Sequence, residues 1–409
     1  MDERRVSATI VEPKIPAIAI AGIALASALV PLNSTMIAVA LPDIARDFDI
    51  SKSHASVLIT LYLVAMLVGQ PLAGRLGDLL GARRLATIAV FCFGLCSAGA
   101  MIVGSFGALV VLRALQACFA AALSPSVQAM LRAVVPADQR GRAFGLQSSV
   151  IGVGAGLGPV IGGVAVAGFG WRAIFGVNLP IVLAVLYVLR RHTSAPVALA
   201  DGRVVAPSEP GPSRIFNRAF TAAFFTQALS TFAQYALLLS VPIVLDSRGW
   251  SAAAVGLALT ALTLGMVVMG PLGGRTGDRR GRRWPVSVGL CATLGAVAAS
   301  ATMGDDVPSW LLVATLLGFG TGLGFATPSI MTAGIEAAPE QRIGAAAGVL
   351  SASRYVGSIA ATLVLAGVVG DEGEGLSLML IVCLVTLVPA LLWARTLPGR
   401  RPVPFAIVG

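Results

Sequence analysis

Charge is scarce in this chain. Of 409 residues only 12% are Asp, Glu, Lys or Arg, whereas 56% are hydrophobic and the mean hydropathy is +0.88. A soluble domain carries about 25% charged residues, so a water-soluble fold starts at a disadvantage. Lysine is nearly missing: Lys14 and Lys52 are the only two. No Gly-x-x-x-x-Gly-Lys phosphate loop can be built from them, which excludes ATP hydrolysis by that route. The two histidines, His54 and His192, lie outside the apolar runs, so no Ser-His-acid set forms inside them. The five cysteines, Cys92, Cys96, Cys118, Cys291 and Cys383, all fall in apolar runs and none shows a metal-ligand spacing. They read as small apolar filler, and no metal or other cofactor is expected. Aromatic residues make up 6%, too few for an obvious aromatic cage around a quaternary ammonium. Acidic residues are missing from the interiors of the apolar runs. All 19 fall in tails, loops or run ends, and Asp43 and Glu336 come nearest to an interior.

The apolar runs themselves are long enough to cross a bilayer, which takes about 20 residues as a helix. Helices and closed barrels alone satisfy the backbone in lipid, and continuous runs exclude the alternating pattern of a barrel. Twelve spans result. The expected organisation is a tail over residues 1–14, a six-helix bundle over 15–189, a Pro-, Ser- and Arg-rich linker over 190–217, a second six-helix bundle over 218–396, and a tail over 397–409. The first span is expected to end at Pro42. Met1–Val11 is polar, and the run after Lys14 is too long for the core of a cleaved signal. The net charge of +10 is distributed by side. With alternate loops assigned to opposite faces, 23 Lys and Arg fall on the N-terminal side, 4 on the other (Arg46, Lys52, Arg172, Arg248) and two within spans. That asymmetry is the positive-inside pattern. It places both termini in the cytoplasm and sets a nucleic-acid partner aside in favour of the lipid bilayer.

One stretch occurs twice. Gly69–Arg84 reads GQPLAGRLGDLLGARR, and Gly270–Arg283 reads GPLGGRTGDRRGRR. Gly74, Asp78, Gly81 and Arg83 match Gly274, Asp278, Gly281 and Arg283 at a single offset of 200. A second echo aligns Pro125, Ser126 and Pro136 with Pro328, Ser329 and Pro339 at offset 203. The chain is therefore two copies of one six-span unit. Such parallel repeats place a substrate site near the midplane between the halves, with access alternating as the halves rock.

The doubled hairpin resembles the loop 2–3 signature of the major facilitator superfamily, and the resemblance covers nearly the whole chain. Leu79 and Ala82 stand where that signature usually has basic residues, which the second copy keeps. The resemblance implies a conformational latch built from Gly74, Asp78, Gly81, Arg83, Gly274, Asp278, Gly281 and Arg283. In it an aspartate meets a helix N-terminus of the other half, and Arg132 is the expected partner of Asp78. Simple topogenic charge is the plainer alternative. The segment Gly154-x-x-x-Gly158-Pro159-x-x-Gly162-Gly163 is similar to the superfamily's antiporter signature. Its glycines form a smooth stripe for close packing, Pro159 permits a bend, and the resemblance implies export. Arg113, in the run LRALQACF, resembles the helix 4 signature. A charge inside a span is costly and usually functional, and Arg354 is the second. Gly318, Gly320, Gly322 and Gly324 predict either a bendable helix or tight packing.

LNSTMIAVALPDI (32–44) and WRAIFGVNLP (171–180) resemble the drug:proton antiporter branch that usually has fourteen spans. That branch has an aspartate where this chain has Asn33, and an asparagine where it has Ala38. The expected fold is an all-α membrane protein of twelve transmembrane helices in two pseudo-symmetric bundles. The expected activity is export of small drug- or antibiotic-like molecules, by a chain working as a monomer in the cytoplasmic membrane. Import, or export of an endogenous metabolite, stays open, as does coupling to protons or another ion; an enzyme or sensor has neither a catalytic set nor room for an output domain. Candidate substrate-lining residues are Asn33, Arg113, Gln116, Gln147, Gln227, Gln234, Tyr235 and Arg354. Because both deep charges are arginines and Asn33 cannot titrate, a neutral or anionic substrate is expected, with Arg113 attracting its electronegative part.

Overall fold

The computed structural model describes residues 17–191, 215–250, 252–303, 307–368 and 376–399. Among them there are twelve helices long and apolar enough to span a membrane, and no strand. In chain order they are α1 (Ala17–Asp47), α2 (Val57–Leu80), α3 (Ala82–Ile102), α4 (Phe106–Val134), α5 (Arg140–Phe169) and α6 (Ala173–Arg191, interrupted at Val177). The second half supplies α7 (Arg218–Ser247), α8 (Ala252–Arg280), α9 (Arg283–Ala301), α10 (Ser309–Glu336), α11 (Ile343–Val368) and α12 (Leu376–Ala394). The tails at 1–14 and 400–409, and most of the linker, lie outside the described residues.

Pro42 does not end the first helix; α1 runs on to Asp47. A proline removes one backbone donor but holds a helical φ, so the ladder resumes beyond it. Pro31 also sits within α1, where the hydroxyls of Ser34 and Thr35 each donate to its carbonyl at 2.9 Å. The repeated stretch is mostly helix rather than hairpin. α2 continues to Leu80 and α8 to Arg280, and each turn is concentrated at one glycine. Gly81 and Gly281 have φ of 87° and 85°, a region in which a Cβ is strained.

The two halves pack by the same scheme. In the first, α1 lies against α4, α5 and α6, while α4 also contacts α2 and α3. In the second, α7 lies against α10, α11 and α12, while α10 also contacts α8 and α9. The halves meet chiefly along two seams, α2 with α11 and α5 with α8. Large apolar side chains such as Phe91 and Leu95 of α3, Leu183 of α6 and Val385 of α12 are exposed, on surface that lipid tails would cover.

The α10 glycines serve close packing on two sides. A Cβ at Gly320 would overlap the carbonyl of Leu262 on α8, and one at Gly322 the carbonyl of Gly289 on α9. Only glycine lets three helix backbones approach this closely.

Candidate functional site

Arg113 occupies the interior of the first half, only 1% exposed. Its Nη1 donates to the side-chain oxygen of Asn33 on α1 and, at 2.6 Å, to Gln116 Oε1 one turn along α4. Gln116 in turn donates to Ser97 on α3 at 2.8 Å, and Asn178 on α6 donates to the same hydroxyl at 3.3 Å. The guanidinium lies 4.2 Å over the ring of Tyr62 on α2, a cation–π contact that a dry site strengthens. Arg113 Nε and Nη2 are buried without a hydrogen-bond partner, and no carboxylate pairs with Arg113 among the described residues. Burying an uncompensated charge is expensive, so this network is held together against a standing electrostatic cost.

The structure brings only some of the other sequence candidates near that network. Gln147 on α5 donates to Ser27 of α1 at 2.9 Å and leaves its own oxygen unpaired. Gln227 donates to Thr231 on its own helix at 3.2 Å, and Gln234 reaches the sulfur of Met266 at 3.5 Å. Tyr235 and Arg354 are half-buried and lie within electrostatic reach of each other. Arg354 makes one long contact, 3.5 Å, to Ser124 Oγ of the other half. Ser124 also faces Ser351 Oγ at 3.3 Å, and Gln128 donates to Ser351 at 2.9 Å. This short polar stack joins α4 to α11 just below Arg354.

At the arginine-rich end each seam closes on an aspartate. Asp78 accepts from the backbone N–H groups of Gly344 and Ala345, at 2.6 and 2.9 Å, at the start of α11. Asp278 accepts from Gly141 and Arg142, at 2.8 and 2.9 Å, in the first turn of α5. Both carboxylates thus sit where four backbone donors are unsatisfied and the helix dipole is positive. Gly74 and Gly274 allow it: a Cβ on either would overlap the carbonyl of Gly344 or Gly141.

The arginines do not act as expected. Arg132 is not the partner of Asp78. It donates to the carbonyls of Ile335 and Ala338 at the C-terminal end of α10, a third bridge between halves. Carbonyls at a helix C-terminus attract a cation as N–H groups attract an anion. Arg83 donates to the carbonyls of Leu189 and Arg190, which end α6 of its own half. Arg283 is tied through its backbone N–H to Pro398. Among the described residues, the arginine that pairs with one of the two motif aspartates is Arg282, 2.8 Å from Asp278 and 3.0 Å from Glu336.

The glycine stripe of α5 packs within the first half. A Cβ at Gly154 would come 3.0 Å from Ala28 O, one at Gly158 would overlap Thr35 Oγ1, and one at Gly162 would come 3.1 Å from Met36 Cα, all on α1. Gly163 is not part of it and faces open space, and Pro159 is exposed. The face toward the other half carries Gly141 and Gly145, opposite Gly274 and Gly270 of α8, and Gly152 and Gly156, opposite Val267 and Thr263.

Comparison with known proteins agrees with this geometry. The family model described as Major Facilitator Superfamily matches residues 23–362, and in a second match 223–407. The chain belongs to the Major Facilitator Superfamily. It is 28% identical to the tetracenomycin C resistance and export protein of Streptomyces glaucescens, over 82% of this chain and 73% of that protein. It is 29% identical to the multidrug resistance protein Stp of Mycobacterium tuberculosis over the same shares, 82% and 73%. It is also 25% identical to the riboflavin transporter RibZ of Clostridioides difficile, over 73% of this chain and 76% of that one. Among solved structures, the superfamily transporter FucP in its outward conformation superposes with a TM-score of 0.73 at 16% identity, covering 92% of this chain and 97% of that one. The proton:xylose symporter XylE superposes with a TM-score of 0.72 at 14% identity, covering 92% and 94%. Family and fold are those of membrane transporters rather than enzymes.

As a superfamily member the chain is lopsided. At offset 200 the position of Arg282 is Ala82, and at offset 203 that of Glu336 is Ala133. The first half therefore keeps the aspartate and Arg83 but has alanine opposite both residues of the second half's Arg282–Glu336 pair. Sequence reasoning missed Arg282. The signal was present as the basic residue that directly follows Gly281, retained in one copy and replaced by alanine, Ala82, in the other.

Proposed function

We propose that this multi-pass membrane transporter is an exporter of neutral or anionic small molecules, working by alternating access with both termini in the cytoplasm. Charge asymmetry supports the orientation, which makes the arginine-rich end cytoplasmic. The observation that carries alternating access is the pair of seams. Each is joined at that end by an aspartate on the first backbone N–H groups of a helix in the other half. Such contacts are made or broken as units, which suits a rigid-body rocking of two halves. The resistance and export named for several relatives supports the outward direction. The latch residues are Gly74, Asp78, Gly81, Gly274, Asp278, Gly281 and Arg282, with Arg132 as a separate bridge. The plasma membrane of a bacterial-type cell is the proposed location.

The test is uptake into everted vesicles of an expressing, pump-deficient strain, with and without a proton gradient. Concentrative uptake of neutral or anionic antibiotic-like compounds is expected. Uptake in right-side-out vesicles instead would reverse the proposed direction, and insensitivity to the gradient would remove protons as the coupling ion.

A further inference from the structure

The interior between the halves brings the two deep arginines together with most of the chain's tyrosines. Of four tyrosines in the chain, three gather between the halves. Tyr355 of α11 lies within electrostatic reach of Tyr62 of α2, of Tyr235 of α7 and of Arg354. Tyr62 carries Arg113 on its face. Gln70 of α2 is fully buried and faces the Tyr355 phenol without closing a well-formed hydrogen bond, so that neither polar atom of its amide has a partner. Two guanidinium groups and three phenols thus share one region in which, among the described residues, neither arginine is paired with a carboxylate.

The two arginines are not equivalent. Arg113 is engaged by Asn33 and Gln116, and its stacking face is taken by Tyr62. It sets a positive field but is held in place. Among the described residues Arg354 has a single, long hydrogen-bond contact, to Ser124, and it remains half-exposed. Its fork is available for a planar, two-oxygen acceptor. Tyr235 and Tyr355 lie within electrostatic reach of it and bring apolar ring surface together with hydroxyls able to donate. An anion bound there would neutralise charge in a low-dielectric region, where the gain is large, and a cation would be repelled by both arginines.

We propose that Arg354, with Tyr235 and Tyr355, binds the carboxylate or phenolate of a planar aromatic anion, while Arg113 and Tyr62 supply the positive field and Gln70 the adjoining polar wall. This rests on the export reading and names the substrate class for it. The site abuts the gate, because Ser124 contacts both Arg354 and the seam residue Ser351. A ligand that occupies Arg354 takes the donor that now reaches Ser124 and so couples the site to the α4–α11 stack.

The test uses the full chain in lipid nanodiscs and four matched probes: naphthoate, naphthamide, naphthyl-trimethylammonium and cyclohexanecarboxylate. Calorimetry should find naphthoate bound at least about tenfold more tightly than each of the others, roughly one charge-assisted contact. Arg354→Gln should remove that preference while naphthamide binding stays as it was. Equal or tighter binding of the amide or the ammonium probe, loss of no preference in Arg354→Gln, or no binding of any probe would overturn the proposal. The unmodified protein alone decides the selectivity, so a poorly folded variant leaves it testable. Uptake of bound naphthoate by everted vesicles is measured in parallel. Binding without uptake would count against export and leave the ligand class standing.

Discussion

A single side chain sets the electrostatics of the first half. Asn33 offers Arg113 a neutral acceptor where a carboxylate would form an ion pair. No carboxylate is paired with the guanidinium among the described residues, so the interior keeps a net positive field. Asn33→Asp places a carboxylate in contact with Arg113 Nη1 and cancels that field at its source. The expected outcome is a fall of about tenfold in affinity for an anionic probe, equivalent to about 1.4 kcal/mol, with gain of export of permanent cations. Binding titrations with naphthoate and an export assay with an ammonium dye check both halves of the statement. Strong export of permanent cations by the unmodified protein would contradict the reading. Gln116 gives a second test at this scale. Gln116→Leu leaves Arg113 with Asn33 alone and strips Ser97 of a donor, a buried network broken at its centre. A loss on the order of 2 kcal/mol in stability is expected, read as a lowered Tm in detergent.

The helices α2 and α8 end in the same motif yet form clasps of different strength. The Asp78 residue is exposed, so water screens its two backbone contacts and they contribute about 1 kcal/mol or less. The Asp278 side chain is 8% exposed and is paired with Arg282, 4% exposed, which also holds Glu336. Removing one member of such a buried set costs about 3 kcal/mol or more, because the others are left unpaired. Asp78→Asn should therefore loosen the α2–α11 seam mildly, raising the labelling rate of Ser351→Cys less than about fivefold. Asp278→Asn should open the α5–α8 seam further, with a larger rise at Ser149→Cys, whose native hydroxyl donates to Val267 O at 2.7 Å across that seam. Equal effects would show that the extra charges of the second copy contribute nothing. The same helices show what a sequence can and cannot tell. Apolar length and arginine spacing are properties of composition, so the span count was legible, and so was a polar, glycine-flanked aspartate at each turn. The partner of Arg132 was not, because opposite charge suggested Asp78 while the nearer attraction came from carbonyls ending α10. Backbone acceptors carry no sequence signature. Pro42 misled for a related reason: proline is read as a stop, but a long membrane helix has neighbours enough to carry it.

At the scale of the molecule, the two halves are joined at one end by three bridges and a polar stack, and alternating access requires all of them to part. The orientation is checked by labelling in intact cells on a background without native cysteines. Ser51→Cys and Ser247→Cys should react from outside, and Ser194→Cys should not. The rocking itself is tested by preventing it. Ser124 and Ser351 belong to opposite halves and their hydroxyl oxygens are 3.3 Å apart. Replacing both by cysteine sets two sulfurs close to the separation at which a disulfide forms, about 2.05 Å once bonded. The bond would tie α4 to α11 without touching α1, α3 or α6, and so leaves the Arg113 network and its contacts in place. Oxidation of the Ser124→Cys, Ser351→Cys double variant should stop export, and a reductant should restore it, while each single variant remains active under both conditions. Binding of a substrate from the other side of the membrane should survive oxidation, because the locked end is the arginine-rich one. Full export by a completely cross-linked protein would mean that the halves do not separate at this seam during transport, and the rocking mechanism would fall with it.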